Sequence, residues 1–289
     1  MNENFWKIDD IEDSNEKLSF KASLESVKNK YHIFLIMTTI SSINFCIGRF
    51  LIDKRRIGNN LPFEAYIPEC VPFEVLFVYQ CLIAFLLVIS MFAMDILILT
   101  IITLMAIQFE VLNRAIVKIF EDMPNSCEDD CSIKMRLKKY NDHHTFLMGF
   151  RDQVNKTFSA GMLAYMGVII PTQCIELYVL TSQSSAKESI RAILYATTMF
   201  FEFFVCYCLP AQHLADEVDK LSENIYCSKW YKYPQYSKDV LILVGKFQLK
   251  MLISAGGFAN IDLKTGFAAL KTMVSYCMFL RTMGYNSEA

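Results

Sequence analysis

Five apolar runs alternate with polar segments along the 289 residues, covering 31–52, 75–107, 157–181, 190–212 and 263–283. A hydrocarbon core about 30 Å thick takes roughly 20 helical residues to cross. Unpaired backbone amides are too costly in lipid, so runs of this kind are expected to be helices. The second run is long enough to continue past the membrane, and Ile107, Val111, Ala115 and Ile119 carry its helical spacing onward. The pattern therefore predicts an all-α, polytopic helical membrane protein whose long helices extend into a cytosolic bundle. A sixth apolar patch, 240–256, carries Lys246 and Lys250 and reads as an amphipathic or buried helix at the inner membrane face. Met123-Pro124-Asn125-Ser126 marks a break in the bundle.

Charge orients these spans. Lys and Arg number five in 1–30, three in 53–74, eight in 108–156, one in 182–189 and six in 213–261. Cationic residues accumulate in cytosolic loops, so the count, nineteen inside against four outside, puts the N-terminus in the cytosol and the C-terminus outside. Lys54-Arg55-Arg56 opposes this only locally. The expected organisation is a cytosolic segment 1–30, a four-span bundle 31–212 with the cytosolic loop 108–156, a cytosolic anchor segment 213–261, a last helix 262–283 and an extracellular tail 284–289. The acidic start of the chain (Asp9, Asp10, Glu12, Asp13) shows no signal peptide, and no internal repeat is evident.

Composition narrows the chemistry. The chain is 54% hydrophobic, rich in aromatics with 23 Phe and 14 Tyr, and carries a net charge of −2, which excludes a basic nucleic-acid surface. Its ten cysteines show no zinc-like double pair; Cys127 and Cys131 are a helical turn apart, and Cys70 stands in a predicted outer loop. His143-His144 follows a Lys/Arg run and reads as a solvated face rather than a metal site. No nucleophile elbow, phosphate loop, zinc-protease helix or kinase set is present, so an enzyme is disfavoured and no cofactor or metal is implied. Asp95, Glu176 and Glu202 lie within predicted spans, where carboxylates are costly and mark either function or a paired, wetted position; Lys271 is a candidate partner for Glu202. Pro171 and Pro210 each remove a helix hydrogen bond. Asn155-Lys156-Thr157 is a glycosylation triplet that this topology leaves unused on the cytosolic side.

The last third carries a recognisable series. Tyr207-Cys208 leads to Gln212, Leu214, Glu217, Leu221, Ser222, Ile225, Tyr226 and Trp230. Leu252-Ile253-Ser254-Ala255-Gly256-Gly257-Phe258, Asp262-Leu263 and Phe267 follow, and the end holds Leu270-Lys271, Ser275-Tyr276 and Phe279-Leu280. Upstream, Leu61-Pro62-Phe63-Glu64-Ala65-Tyr66-Ile67-Pro68 and Tyr79-Gln80 form a looser match. The series resembles the insect odorant receptor family over about 31–283. That family has seven spans; the outer-loop match equates 31–52 with its third, so the chain is expected to lack the first two.

The resemblance implies a ligand-gated, non-selective cation channel of olfactory transduction in the plasma membrane. It implies a hetero-tetramer with a shared odorant receptor co-receptor, a volatile small-molecule odorant as ligand, and membrane lipid as surroundings. The final helix would line the pore. Aligned on Ser275-Tyr276, the family's hydrophobic gate falls on Phe279 and Met283, where a ring of apolar side chains closes a pore by dewetting. From the residues alone, Asp262 is a good N-cap, Gly256-Gly257 a flexible break, and Leu263, Phe267, Leu270, Val274, Cys277 and Met278 a packing stripe. Odorant-pocket candidates are Thr38, Ser41, Asn44, Phe77, Gln80, Cys81, Phe85, Tyr195 and Met199, with helix–helix packing as the competing role for Thr38, Ser41 and Asn44. Tyr226, Trp230, Tyr231, Tyr233 and Tyr236 are candidates for the subunit anchor or for packing within one chain. A gustatory-type receptor, a membrane carrier using Asp95 or Glu202, and a non-functional truncated receptor remain as alternatives.

Overall fold

The computed structural model describes residues 5–6, 14–52, 72–120, 129–182 and 186–287. Among the described residues seven α-helices form in chain order: α1 (Ser14–Ile52), α2 (Phe73–Lys118), α3 (Asp129–Thr181), α4 (Ala186–Phe201), α5 (Leu209–Cys227), α6 (Ser237–Phe247) and α7 (Leu263–Ser287). The only strands among the described residues are β1 (Ser254–Ala255) and β2 (Ala259–Asn260), an antiparallel pair with Ala255 opposite Ala259. The 61–68 motif, Lys54-Arg55-Arg56, Cys70, the 123–126 break and Cys127 lie outside the described residues.

Three helical stretches, Phe73–Lys118, Ile133–Thr181 and Glu188–Lys232, are long and apolar enough to cross a membrane. The 46 residues of α2 and 53 of α3 rise about 1.5 Å each, roughly twice what a bilayer core requires. Only 22% of the most apolar window of either helix is buried in the chain. The large apolar side chains left exposed, such as Val78, Leu82, Leu86 and Val168, need a non-aqueous surrounding. The fold is therefore that of a polytopic α-helical membrane protein. The runs expected at 31–52 and 263–283 are also helical, within α1 and α7, and α7 continues past 283 to Ser287.

The described residues divide into two compact units. The first comprises Met1–Ser23, Leu99–Met166 and Tyr207–Gly266; the second, Leu24–Ile98, Gly167–Cys206 and Phe267–Ala289. In the first, Leu99, Ile102, Met105, Phe109, Leu112 and Ile116 of α2 are buried at steps of three and four, the stripe of a helix facing a core. Ala211, Leu214, Val218, Leu221 and Ile225 of α5 do the same. Beyond α5 the chain turns through two 3-10 segments, Lys229–Lys232 and Pro234–Tyr236, into α6. The sixth apolar patch is thus helical only as far as Phe247; Gln248 onward is turn and extended chain, with Met251, Ile253 and Ala255 buried in alternation.

His143 and His144, expected on a solvated face, are instead 5% and 2% exposed. Trp6 stacks on the His143 ring at 4.2 Å, and its backbone N–H and C=O both pair with the Gln108 carboxamide, at 3.1 and 3.0 Å. Phe5 meets Phe146 and Phe150 edge-on. His144 lies between Phe247 and Phe109. Burial, assisted by the Lys246 charge, lowers its pKa to about 4, so the ring is neutral at pH 7. The neighbouring Lys/Arg run hides this: Arg136 and Lys139 share the His143 face by spacing, and it is Trp6, from far along the chain, that covers the ring, with the Lys139 ammonium 5.4 Å from the Trp6 ring centre.

In the second unit, Phe34 of α1 packs on Phe92 of α2 and Phe201 of α4. Residues 202–208 form a π-helix immediately before α5. Pro210 cannot donate to the Cys206 carbonyl and its ring crowds that position; a wider turn just upstream relieves the crowding, as π segments inside helices do.

Candidate functional site

Three groups of residues were expected to form a pocket, a pore helix and an anchor, and the structure places them as follows. The pocket candidates fall in the second unit. Ser41 of α1 is buried, and its hydroxyl shares a hydrogen bond of 2.9 Å with Thr198 of α4. Thr38 and Asn44, one turn either side, are half-buried, and the Thr38 hydroxyl also returns to the carbonyls of Phe34 and Leu35. Gln80 of α2 is buried, and Phe77, Cys81, Tyr195 and Met199 are half-buried. Phe85 is different: 56% exposed, it points away from the face that buries Gln80 and Ala84. Sequence reasoning missed Thr198 and Gln173. Gln173 of α3 is 1% exposed; its Nε2 donates to the Ala196 carbonyl at 3.4 Å, while its Oε1 accepts no hydrogen bond among the described residues. A carboxamide two residues after Pro171 in an apolar run was the available signal.

The intramembrane charges gather. Asp95, Glu202 and Lys30 all lie within electrostatic range of the Cys206 thiol, and Glu176 lies within range of Arg191. The Arg191 cation near Glu176 lowers the cost of placing that carboxylate there. Lys271, the expected partner of Glu202, is exposed.

The α7 helix has two faces. Gly266, Ala269, Met273 and Cys277 are buried, at steps of three and four. Of the expected packing stripe Cys277 is buried and Leu263 and Leu270 are half-buried beside this face; Phe267, Val274 and Met278 are about half exposed. Small side chains let helices approach closely, so the packed face follows Gly266 and Ala269 rather than the bulkiest residues. Phe279 and Met283 are each 57% exposed on the single chain, roughly 125° and 85° round the helix from the centre of the packed face.

The start of α7 is tightly held. Asp262 caps it, its Oδ1 accepting the Thr265 N–H at 2.7 Å, and Gln212 Oε1 accepts the Leu263 N–H at 3.4 Å. Gly256 and Gly257, read as a flexible break, form an ordered turn between β1 and β2 with φ of 64° and 73°. Tyr207 stacks on Tyr165 at 4.9 Å. Buried Glu217 accepts from Asn113 and Lys220. The residues of the C-terminal series from Tyr207 to Asp262 that make these contacts thus act as caps, turns and buried polar pairs within the first unit.

The aromatic cluster of the anchor segment divides. Tyr236 is buried and Tyr233 stacks on Phe120. Tyr226 and Tyr231 are exposed, and the half-buried Trp230 donates its indole N–H to the Tyr226 carbonyl at 2.9 Å. Two open grooves of about 370 and 310 Å³ lie in the first unit, lined mainly by charged and amide side chains, and neither involves the pocket candidates.

Spans of this length, a buried polar pair between two helices and a capped last helix define a multi-pass helical membrane architecture. A family model described as 7tm Odorant receptor matches residues 8–274, and the chain belongs to that family. Odorant receptor 33c of Drosophila melanogaster is 26% identical over 148 residues, 50% of this chain and 38% of that protein. The insect olfactory receptor OR5 from Machilis hrabei, solved in complex with eugenol, superposes with a TM-score of 0.76 at 15% identity, over 92% of this chain and 68% of that one. A second structure of the OR5 receptor from Machilis hrabei gives 0.72 at 16% identity, over 91% and 67%. At such identities the likeness is one of fold. The chain matches well under half of the curated relative and about two-thirds of the solved ones.

Proposed function

We propose that this chain is an odorant receptor subunit of the plasma membrane, working with a shared co-receptor as a ligand-gated cation channel. In this reading the N-terminus is cytosolic and the C-terminus extracellular. The observation that carries the reading is α7. One face packs through Gly266, Ala269, Met273 and Cys277, while Phe279 and Met283 stand exposed towards the end of the helix. A helix packed on one side that leaves large apolar side chains exposed near its end suits a shared ion pathway closed by dewetting. The pocket lies around Ser41–Thr198, Gln80, Tyr195 and Met199, apolar with a few orienting polar groups, as a small-molecule site requires. Tyr226, Trp230 and Tyr231 meet neighbouring subunits.

The test is current recorded from cells expressing this chain with a co-receptor. The probes are eugenol and a set of volatile alcohols, esters and ketones. Odorant-evoked cation current is expected, and Phe279→Ser or Met283→Ser should raise the current without odorant. Normal surface expression with no evoked current, or saturable uptake of labelled odorant in its place, overturns the reading.

A further inference from the structure

The stretch of α3 within the first unit carries a row of four residues, Arg151, Asn155, Ser159 and Leu163, at steps of four. Each meets the segment leading to α7 at an alternate residue. Arg151 donates to the Lys250 carbonyl at 3.3 Å. Asn155 grips two groups: its Nδ2 donates to the Leu252 carbonyl at 3.1 Å, and its Oδ1 accepts the Ser254 N–H at 3.0 Å. The Ser159 carbonyl accepts the Gly256 N–H at 2.9 Å, and its hydroxyl lies 3.3 Å from that of Ser254. Leu163 closes over Gly256, leaving no room for a Cβ there. The register follows from geometry. Four helical residues rise about 6 Å and two extended residues about 6.6 Å, so a row at i, i+4 can pair with a row at j, j+2.

Beyond this zipper the connection to α7 has no slack. The glycine turn, the Ile261 N–H on the Ile253 carbonyl at 2.8 Å, the Asp262 cap and the Gln212 tie follow in succession. The α3 stretch and the first turn of α7 are hydrogen-bonded into one body.

We propose that Asn155 and Ser159 are positioning residues for the pore helix, fixing the first turn of α7 to α3 as a pivot while the rest of α7 opens and closes. The inference rests on the channel reading above. A clasp needed only for folding would alter the amount of protein at the surface and leave the response of the surviving receptors unchanged. A pivot alters the response at constant surface level.

The experiment combines Asn155→Ala with the pair Ser159→Cys and Ser254→Cys, in the full chain with its co-receptor. The most potent odorant of the panel is the probe, and surface biotinylation sets the level. At equal surface level, Asn155→Ala should raise the odorant concentration for half-maximal current about tenfold, the equivalent of one to two lost net hydrogen bonds. Oxidising the cysteine pair in that background should restore the wild-type curve, and reductant should remove the restoration. On the otherwise wild-type background the oxidised pair should leave the curve unmoved. If Asn155→Ala is poorly expressed, Asn155→Asp, which keeps the acceptor for Ser254 and loses the donor to Leu252, replaces it with the same expectation.

An unshifted curve for both Asn155 variants overturns the inference. So does a pair that will not close under oxidant, or an oxidised pair that silences the otherwise wild-type receptor, since the segment would then have to move. Those results leave the channel reading intact. Absence of evoked current from the wild-type chain overturns that reading and this inference with it.

Discussion

Gly256 offers the sharpest test of the local structure that sets the start of α7. An alanine there meets two obstacles. Its φ of 64° is the left-handed region, which costs an L-residue about 1–2 kcal/mol. Its Cβ would also stand 2.4 Å from Cδ2 of Leu163, 3.1 Å from Cγ and 3.2 Å from Cβ. Inserting a methyl group into an occupied space costs about 1–3 kcal/mol, so Gly256→Ala should destabilise by about 2–5 kcal/mol. Gly257 is the internal control: its φ is 73° but nothing lies within 4 Å of an added Cβ. Gly257→Ala should therefore cost only the backbone part, about 1–2 kcal/mol. Leu163→Ala combined with Gly256→Ala removes the two outer contacts and leaves the one to Cβ, so part of the steric loss should return. The assay is the fraction remaining monodisperse on fluorescence-detected size exclusion after heating in detergent. Equal losses for the two glycine variants, or no recovery with Leu163→Ala, would refute the reasoning.

The other predictions concern the first unit. Trp6→Ala removes the stack on His143 and should lower stability by about 2 kcal/mol, the scale for burying a large apolar side chain. The same thermal assay reads this, and amide exchange at 139–150 should rise; an unchanged midpoint would mean that the Phe5–Trp6 segment does not hold α2 to α3. His144 should make stability depend on pH. Its folded pKa of about 4 lies below the ordinary 6.5, so the neutral ring's contribution is complete above pH 6.5 and is lost as pH falls towards 4. At about 1.36 kcal/mol per pH unit, acidifying from pH 7 to 5 costs roughly 2 kcal/mol through this group. His144→Phe should flatten the midpoint-against-pH curve over that window, and equal slopes for variant and parent would contradict the assignment.

Much of the membrane architecture was legible because the bilayer imposes a strong rule: long apolar runs must be helical. The continuation of α2 past its apolar run, the apolar half of α3 and the Asp262 cap follow from residue type and spacing alone, whereas the part of α3 before 157 fell within the expected loop 108–156. What was not legible depends on which face meets which neighbour. Periodicity places Phe267 and Val274 on a stripe, but cannot say that Gly266 and Ala269 bring the backbone closer and claim the packed side. His143 and His144 looked solvated because Lys138 and Lys139 precede them; the aromatic residues that bury them, Trp6, Phe109 and Phe247, are remote in sequence. Asn155 read as part of an unused glycosylation triplet, since nothing local shows that its carboxamide matches the backbone of residues 252–254. The π-helix at 202–208 had one sequence cue, Pro210, which foretells a disruption without its form. Phe85 was placed beside Gln80 by proximity in sequence, yet five positions on a helix is about 140° of rotation away.

The central claim is that α7 borders an ion pathway on the exposed flank bearing Phe279 and Met283. Cysteine accessibility measures this directly. Phe279→Cys, Met283→Cys, Ala269→Cys and Met273→Cys would each be expressed with the co-receptor and exposed to a charged thiol reagent from outside during odorant-evoked current. The account predicts progressive block at 279 and 283 and none at 269 and 273. Block confined to 269 and 273, or none at any of the four positions with current and surface level intact, would contradict it.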